Sequence, residues 1–155
     1  MPQLYLVRHA KAGERRLWES NDLDRPLSKR GWKQSEAVAR RIAKLDPTAL
    51  LSSEYVRCIQ TLEPLGRRLG RPVTIEPRLT EDEPVGPVLQ LFAEAPDGAV
   101  MCSHGDIIPA AIKTLSQHGT ELRTPVDWRK ASVWVLKRNK KGRIVTATAW
   151  PPPKV

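Results

Sequence analysis

The sequence predicts an α/β fold: a three-layer α/β/α domain with a mostly parallel central sheet. Short apolar runs of strand length alternate with longer segments in which apolar residues recur at helical spacing. That alternation is typical of βαβ units, whose helices cover both faces of a parallel sheet. The 155 residues suffice for one hydrophobic core, so we expect one domain over residues 1–150 and a short Pro-rich tail over 151–155.

A strand and a long loop open the chain. Gln3 to Arg8 is an apolar run of strand length. Ala10 to Pro26 follows as a polar loop, and loops of that length inside a compact domain are often functional. Ser28 is a suitable N-cap, and the apolar stripe after it predicts a helix that ends near Asp46.

The middle of the chain predicts a second strand, a helix and a second loop. Ala49 to Ser53 has strand character. A helix over about 54–69 follows, and Pro64 should kink or divide it because proline lacks an N–H group. A short strand is predicted over 73–76, and an acidic, Pro-rich loop over 77–87.

Two helices, a buried strand and a hairpin are predicted for the remainder. Gly119 is expected to end the second of these helices, and Gly142 to take the positive φ that the hairpin turn needs. The predicted ranges are a helix over 88–95, a strand over 99–103, a helix over 107–117 and hairpin strands over 132–137 and 144–149.

The chain is basic, with a formal net charge of +9. Such a charge attracts nucleic acids, acidic proteins and phosphorylated small molecules alike, so it does not select among them. No nucleic-acid-binding motif accompanies it, and we expect no nucleic-acid partner. Many of the basic residues are spaced as the solvated face of one helix would be: Lys29, Arg30, Lys33, Arg40, Arg41 and Lys44.

Cys58 and Cys102 are the two cysteines of the sequence. They lack the spacing of a metal site, so we expect no metal and interpret the chain as a reduced cytoplasmic protein. No apolar run approaches the roughly 20 residues that span a bilayer, and the N-terminus lacks the regions of a signal peptide. We expect a monomer without cofactor or membrane partner.

Arginine and histidine side chains follow three of the predicted strands. Arg8 and His9 lie at the end of the first strand. Arg57 lies one turn into the helix after the second strand, and His104 follows the fourth. Because the carboxyl ends of parallel strands meet at one edge of a sheet, these four side chains should line one crevice. The helix that follows Gly105 adds backbone N–H groups there.

These side chains suit phosphoryl transfer. A guanidinium matches phosphate oxygens bidentately. An imidazole is a nucleophile toward phosphorus when one ring nitrogen is unprotonated and the other is held by a hydrogen bond. A second imidazole can donate to a phosphoryl oxygen in the transition state, where positioning and charge stabilisation supply most of the rate. The side chains themselves would provide the positive charge, so this chemistry needs no metal.

The chain resembles the histidine phosphatase superfamily, which has the phosphoglycerate mutase-like fold, in five ordered segments from Leu4 to Pro109. The segments are LVRHAKAG, RPLSKRGWKQSEAVA, LLSSEYVRCIQTLEPL, RLTEDEP and VMCSHGDIIP. The compact length is similar to that of SixA-type phosphohistidine phosphatases. The segments VRCIQTLEPL, EPRLTEDE, KASVWVL and GRIVTA also resemble the C-terminal phosphatase-like domain of mycobacterial MutT1-type proteins.

The resemblance implies a role for each residue of the crevice. His9 would be the nucleophile that forms a phosphohistidine intermediate. Arg8 and Arg57 would bind the phosphoryl oxygens. His104 would donate a hydrogen bond to them, and the backbone at Gly105 would complete the phosphate site.

Other positions carry alternatives. Ala10 stands where the family usually has glycine, and we expect a slightly tightened loop. Glu81 is the first candidate for the leaving-group acid and Glu83 the second; a solvated acidic loop is the alternative, since SixA-type members manage without an evident acid. Arg25 would either contact substrate or form a structural ion pair with Asp22 or Asp24.

The remaining expectations concern two serines at strand ends and the reaction itself. Ser53 and Ser103 are expected to satisfy backbone groups at strand ends. The sequence predicts a metal-independent phosphatase that acts through a phosphohistidine intermediate, on a phosphohistidine protein or on a small phosphoester such as a nucleotide. The alternative is a non-catalytic phosphate-binding regulatory module of the same fold.

Overall fold

Strands and helices alternate along the chain in a computed structural model that describes residues 2–155. The strands are β1 (Gln3–Arg8), β2 (Ala49–Ser52), β3 (Thr74–Ile75), β4 (Ala99–Ser103), β5 (Glu121–Leu122), β6 (Val133–Arg138) and β7 (Ile144–Trp150). The α-helices are α1 (Lys29–Ala43), α2 (Val56–Leu69), α3 (Val85–Glu94) and α4 (Ile107–Gln117).

The strands form one sheet in the order β3-β2-β4-β1-β6-β7-β5. β3, β2, β4 and β1 are mutually parallel, β6 is antiparallel to β1, and the β6–β7 hairpin carries β5 at the far edge. The prediction of a mostly parallel sheet is confirmed. The carboxyl ends of β1, β2 and β4 therefore lie side by side at one edge.

Helices cover both faces of this sheet, which confirms the three layers. The residues of each strand alternate between the two faces because side chains along a strand point to opposite sides. On one face Leu4, Leu6 and Met101 pack with apolar residues of α3 and α4. On the other face Val7 and Val100 pack with apolar residues of α1 and α2.

Several predicted features are confirmed. β1, β4 and α4 span the predicted residues. The Ser28 hydroxyl accepts a hydrogen bond from the Gly31 N–H at 3.1 Å, as an N-cap does. Gly142 takes a φ of 81° in the hairpin turn. α1 ends at Ala43, one turn earlier than the pattern predicted.

Other elements differ from the prediction for local reasons. α2 runs unbroken through Pro64, because this buried residue lies on the face that packs into the core. α3 begins at Val85 rather than Val88, since Pro87 lies in the first turn, where backbone N–H groups have no helical partner. β5 was not predicted: it pairs through only two residues, too few to produce a pattern.

Candidate active site

The carboxyl edge of the sheet carries a cleft of about 650 Å³. Within residues 2–155 the structure brings together at its wall all four residues predicted to converge, Arg8, His9, Arg57 and His104. Further lining residues include Gly105 and the cations Lys11, Arg25 and Lys130. Carboxylates of Glu81, Asp82 and Asp106 lie at the wall as well.

His9 is held rigidly at the end of β1. Its backbone N–H donates to the Ser103 carbonyl at 3.1 Å, which joins it to the end of β4. Its ring Nδ1 lies 2.8 Å from the Ala10 carbonyl, an acceptor, so we assign the ring proton to Nδ1. Nε2 then keeps its lone pair and is the nitrogen available to a ligand.

The pKa of His9 is lowered to about 3, chiefly by burial; repulsion from His104, Arg57 and Arg8 contributes to the lowering, and the Ala10 hydrogen bond opposes it. The side chain is only 6% exposed. The imidazole is therefore neutral at physiological pH, which is the protonation state that a nucleophilic nitrogen requires.

Ala10 does not disturb the loop that presents His9. Its φ is not positive, its N–H donates to the Thr61 hydroxyl at 2.9 Å, and its methyl group is fully buried in the core of the α1/α2 face. No strain follows from having alanine here. The expected tightening of the loop relative to glycine stays a prediction.

Arg8 reaches across the end of β4. Its Nη1 donates to the Trp128 carbonyl at 2.6 Å, and its guanidinium lies close to Gly105. A Cβ atom at position 105 would lie 2.7 Å from the Arg8 Nη2, so a larger residue there would displace the guanidinium. Glycine at 105 therefore leaves room for Arg8 in its present position.

Arg57 is almost completely buried, with 1% of its side chain exposed. Its Nη1 lies 3.2 Å from the Asp22 carboxylate and its Nη2 lies 3.2 Å from Glu81 Oε2. Because an unpaired buried charge is costly, these two carboxylates hold the guanidinium charged and in place. The contact between Asp22 and Arg57 was not predicted, because the two residues lie 35 positions apart in the chain.

His104 is held through Nε2, whereas His9 is held through Nδ1. Its Nε2 lies 2.8 Å from the Ser53 hydroxyl, and its Nδ1 lies 3.5 Å from Glu81 Oε2 and has no hydrogen bond within residues 2–155. A lone pair on Nδ1 would face a carboxylate, so we assign a proton to Nδ1. Ser53 thus binds a side chain of the site, in addition to the Tyr55 N–H that fits its predicted backbone role.

The two candidate acids lie in different places. Glu81 lines the cleft and contacts both Arg57 and His104. Glu83 is exposed, is not part of the cleft wall, and its N–H donates to the Thr80 carbonyl. The structure therefore brings only Glu81 to the convergent residues.

Arg25 forms the ion pair that was one of its two predicted roles; substrate contact stays a prediction. Its side chain is buried, and its Nε donates to Asp22 at 2.8 Å in a structural ion pair. It also lines the cleft. Lys11 and Lys130, which no sequence pattern singled out, line the cleft too.

Residues 2–155, which the structure describes, were compared with the requirements of a metal site and of a membrane-spanning helix. They contain no group of three or more His, Cys, Asp or Glu side chains placed to hold a metal ion. None of their helices is both long enough and apolar enough to cross a membrane.

Comparison with known proteins identifies the family. The model of the histidine phosphatase superfamily (branch 1) matches residues 4–83, just over half of the chain. The 8-oxo-(d)GTP phosphatase of Mycolicibacterium smegmatis is 34% identical over 154 residues, covering 96% of this chain. The chain spans only 48% of that relative's length. The glucosyl-3-phosphoglycerate phosphatase of Mycolicibacterium vanbaalenii is 37% identical over 83 residues, which are 51% of this chain and 36% of that protein.

A solved structure confirms the fold. The protein histidine phosphatase SixA complexed with tungstate superposes with a TM-score of 0.73 over 96% of this chain and 94% of that one, at 24% identity. The chain has the phosphoglycerate mutase-like fold that was expected, and by the match over residues 4–83 it belongs to the histidine phosphatase superfamily.

Proposed function

We propose that this chain is a metal-independent phosphatase that transfers a phosphoryl group to His9 and then to water. One observation carries the proposal: a neutral, buried imidazole directs Nε2 into a cleft where Arg8, Arg57 and His104 converge. Relatives named as phosphatases support the same reaction class.

In the first step Nε2 of His9 attacks phosphorus, the bond from phosphorus to the leaving oxygen breaks, and a P–N bond forms. Arg8 and Arg57 bind the phosphoryl oxygens, and the Nδ1–H of His104 donates to one of them as charge develops. In the second step water attacks the phosphohistidine, inorganic phosphate leaves, and His9 is regenerated.

We assign the proton transfers to Glu81. In the free protein its carboxylate is paired with Arg57. A bound phosphoryl group would take over that guanidinium, leaving Glu81 to face phosphate oxygens, and a proton shared between them relieves the repulsion. That proton passes to the leaving oxygen in the first step, and the resulting carboxylate takes one from water in the second.

The substrate is either a phosphohistidine protein or a small phosphoester. The structural neighbour named as a protein histidine phosphatase supports the first, and the relatives named for 8-oxo-(d)GTP and glucosyl-3-phosphoglycerate support the second. We also propose that the chain acts as one domain over residues 1–150, as a cytoplasmic monomer.

The decisive experiment traps the intermediate. The protein is mixed with a ³²P-labelled aryl phosphate, quenched in alkali and analysed for protein-bound label, because phosphohistidine is stable to base and labile to acid. We expect label on the wild type, none on His9→Ala, and turnover that a chelator leaves unchanged. Phosphate binding without turnover or label on any substrate of a broad panel would instead favour the non-catalytic regulatory module.

A further inference from the structure

The cations of the cleft fall into two groups. Arg57, Arg25 and Arg15 are paired with carboxylates, because all three contact Asp22 and Arg57 contacts Glu81 as well. Arg8, Lys11 and Lys130 form no ion pair within residues 2–155. One phosphoryl group at His9 engages Arg8 and leaves the two lysines without an anion.

Both lysines are held near His9 by the backbone. Lys11 lies two residues after it, where its N–H donates to Gln34 Oε1 at 2.9 Å. Lys130 precedes Ala131, whose N–H donates to the carbonyls of Arg8 and His9 at 3.1 and 3.3 Å. The lysine side chains therefore start from backbone anchored on either side of the proposed nucleophile.

Within residues 2–155, four carboxylates line the cleft and none of them forms an ion pair with Lys11 or Lys130. Glu81, Asp82 and Asp106 lie on the β4 side, where the Asp82 N–H donates to Asp106 at 2.8 Å, and Glu14, in the loop after β1, is paired with Arg16. Lys130 lies on the β6 side of β1. Partial desolvation lowers the pKa of Lys130, which is an exposed residue, and repulsion from neighbours that include Arg8, Arg25 and Lys11 lowers it as well. Clustered like charges of this kind are stabilised by a bound anion.

We propose that Lys11 and Lys130 form a second anion subsite beside the phosphoryl site, and that the substrates are terminal diphosphates, whose leaving group is itself a phosphate ester. A diphosphate carries its second phosphoryl group one bridging oxygen from the first, within reach of lysines flanking His9. A phosphohistidine leaves as an imidazole, which brings no anion to these lysines. The inference rests on the proposed phosphatase function and names its substrate class.

The reaction then has a defined balance. The bond between the terminal phosphorus and the bridging oxygen breaks, and the P–N bond to His9 forms. The leaving monophosphate ester keeps the bridging oxygen with its electron pair and takes up the proton from Glu81, and the two lysine ammonium groups offset its remaining charge. Water then cleaves the P–N bond and releases inorganic phosphate.

The test compares inorganic pyrophosphate with inorganic phosphate by titration calorimetry on the full chain. The wild type should bind pyrophosphate at least about tenfold more tightly than phosphate, a difference of roughly 1.4 kcal/mol. The double variant Lys11→Gln/Lys130→Gln should lose that preference. The control is Lys140→Gln/Lys141→Gln, which removes the same charge from exposed residues of the hairpin turn at the opposite edge of the sheet, and it should keep the preference.

Kinetics supply the second measurement. For a nucleoside diphosphate, kcat/KM should fall in the Lys11→Gln/Lys130→Gln variant at least about tenfold more than for an aryl phosphate, a difference of roughly 1.4 kcal/mol in transition-state binding. Equal losses on both substrates would overturn the subsite, and so would equal wild-type affinity for phosphate and pyrophosphate. Lysine-dependent turnover of a phosphohistidine protein without any pyrophosphate preference would overturn the diphosphate assignment.

The two proposals can fail separately. Lysine-dependent preference for pyrophosphate without turnover of any phosphate would support the subsite and contradict the phosphatase. Turnover with His9 labelling but no pyrophosphate preference would support the phosphatase and contradict the subsite.

Discussion

Two buried imidazoles face each other across the cleft, His9 at the end of β1 and His104 at the end of β4. Their ring centroids lie 5.5 Å apart. His9 directs Nδ1 to a backbone carbonyl and leaves Nε2 free, whereas His104 directs Nε2 to the Ser53 hydroxyl and leaves Nδ1 free beside a carboxylate. One ring therefore has a free lone pair, and the other has a free N–H beside the Glu81 carboxylate.

The difference shows that hydrogen-bond partners, rather than residue type, assign chemical roles in this site. A carbonyl can only accept, so it fixes the proton on the adjacent nitrogen of His9. A hydroxyl can donate or accept, so the tautomer of His104 depends on the negative charge of Glu81 as well. Each role can be tested by changing the partner or the ring.

The largest expected effect comes from removing each ring in turn. His9→Ala should abolish both turnover and protein labelling, a loss of at least roughly 10³-fold in kcat. His104→Ala should slow both by roughly 10²- to 10³-fold, the usual cost of one transition-state donor, while the label stays on His9. Rapid-quench labelling distinguishes the two variants. Label that persists in His9→Ala would mean that His104 is the nucleophile and His9 the hydrogen-bond donor.

The pH dependence of stability tests the neutral state of His9. Its pKa is about 3 in the folded protein and ordinarily 6.5, so below pH 6.5 the unfolded chain takes up a proton that the folded protein does not. The stability that the neutral His9 ring confers on the fold is present above pH 6.5 and is lost as the pH falls toward 3. Between pH 7 and pH 5, the free energy of unfolding should fall by about 2 kcal/mol more in the wild type than in His9→Gln. Urea denaturation at the two pH values measures the free energy of unfolding. An equal decrease in the wild type and in His9→Gln would contradict a buried neutral ring.

Glu81→Gln should separate substrates by their leaving groups. We expect a loss of roughly 10²-fold in kcat on an alkyl phosphate, whose alkoxide needs a proton, and a much smaller loss on a phosphoramidate. Glu83→Gln is the matched control, because Glu83 lies outside the cleft, and both activities should stay near those of the wild type. Equal losses on the two substrates in Glu81→Gln would remove the acid role.

Ser53→Ala should weaken the orientation of His104 rather than remove a reacting group. We expect about a tenfold fall in kcat and a shifted pH profile, since the hydroxyl no longer holds Nε2. Ser103→Ala is the matched control: its buried hydroxyl donates to the Leu79 carbonyl at 2.6 Å, so stability should fall with the pH profile unchanged. The same profile shift in both variants would indicate a merely structural role for Ser53.

The smallest effect is expected for Ala10→Gly. The carbonyl that fixes His9 is retained, but a buried methyl group is lost and glycine gains freedom in the unfolded chain. The free energy of unfolding should fall by about 1 kcal/mol, with kcat reduced less than about threefold. A large fall in kcat would show that alanine itself tunes the nucleophile.

Much of the fold could be predicted because its signals are local. The apolar runs of β1 and β4, the N-cap at Ser28 and the turn at Gly142 each depend on a few adjacent residues. The failures have the opposite cause. Pro64 lies inside an unbroken helix because tertiary packing outweighs a local cost of about 3 kcal/mol.

By itself the sequence determined the α/β class, the order of the elements except β5, and the convergence of Arg8, His9, Arg57 and His104 on one edge. The alternation of strands and helices and the geometry of parallel sheets were sufficient for that. Only the tertiary structure decided which nitrogen each imidazole presents, that Glu81 rather than Glu83 reaches the cleft, and that Asp22 neutralises Arg57 while Lys11 and Lys130 have no ion pair within residues 2–155. These properties depend on distances of about 3 Å between residues far apart in the chain, where electrostatic interactions and hydrogen bonds act and sequence spacing carries no information.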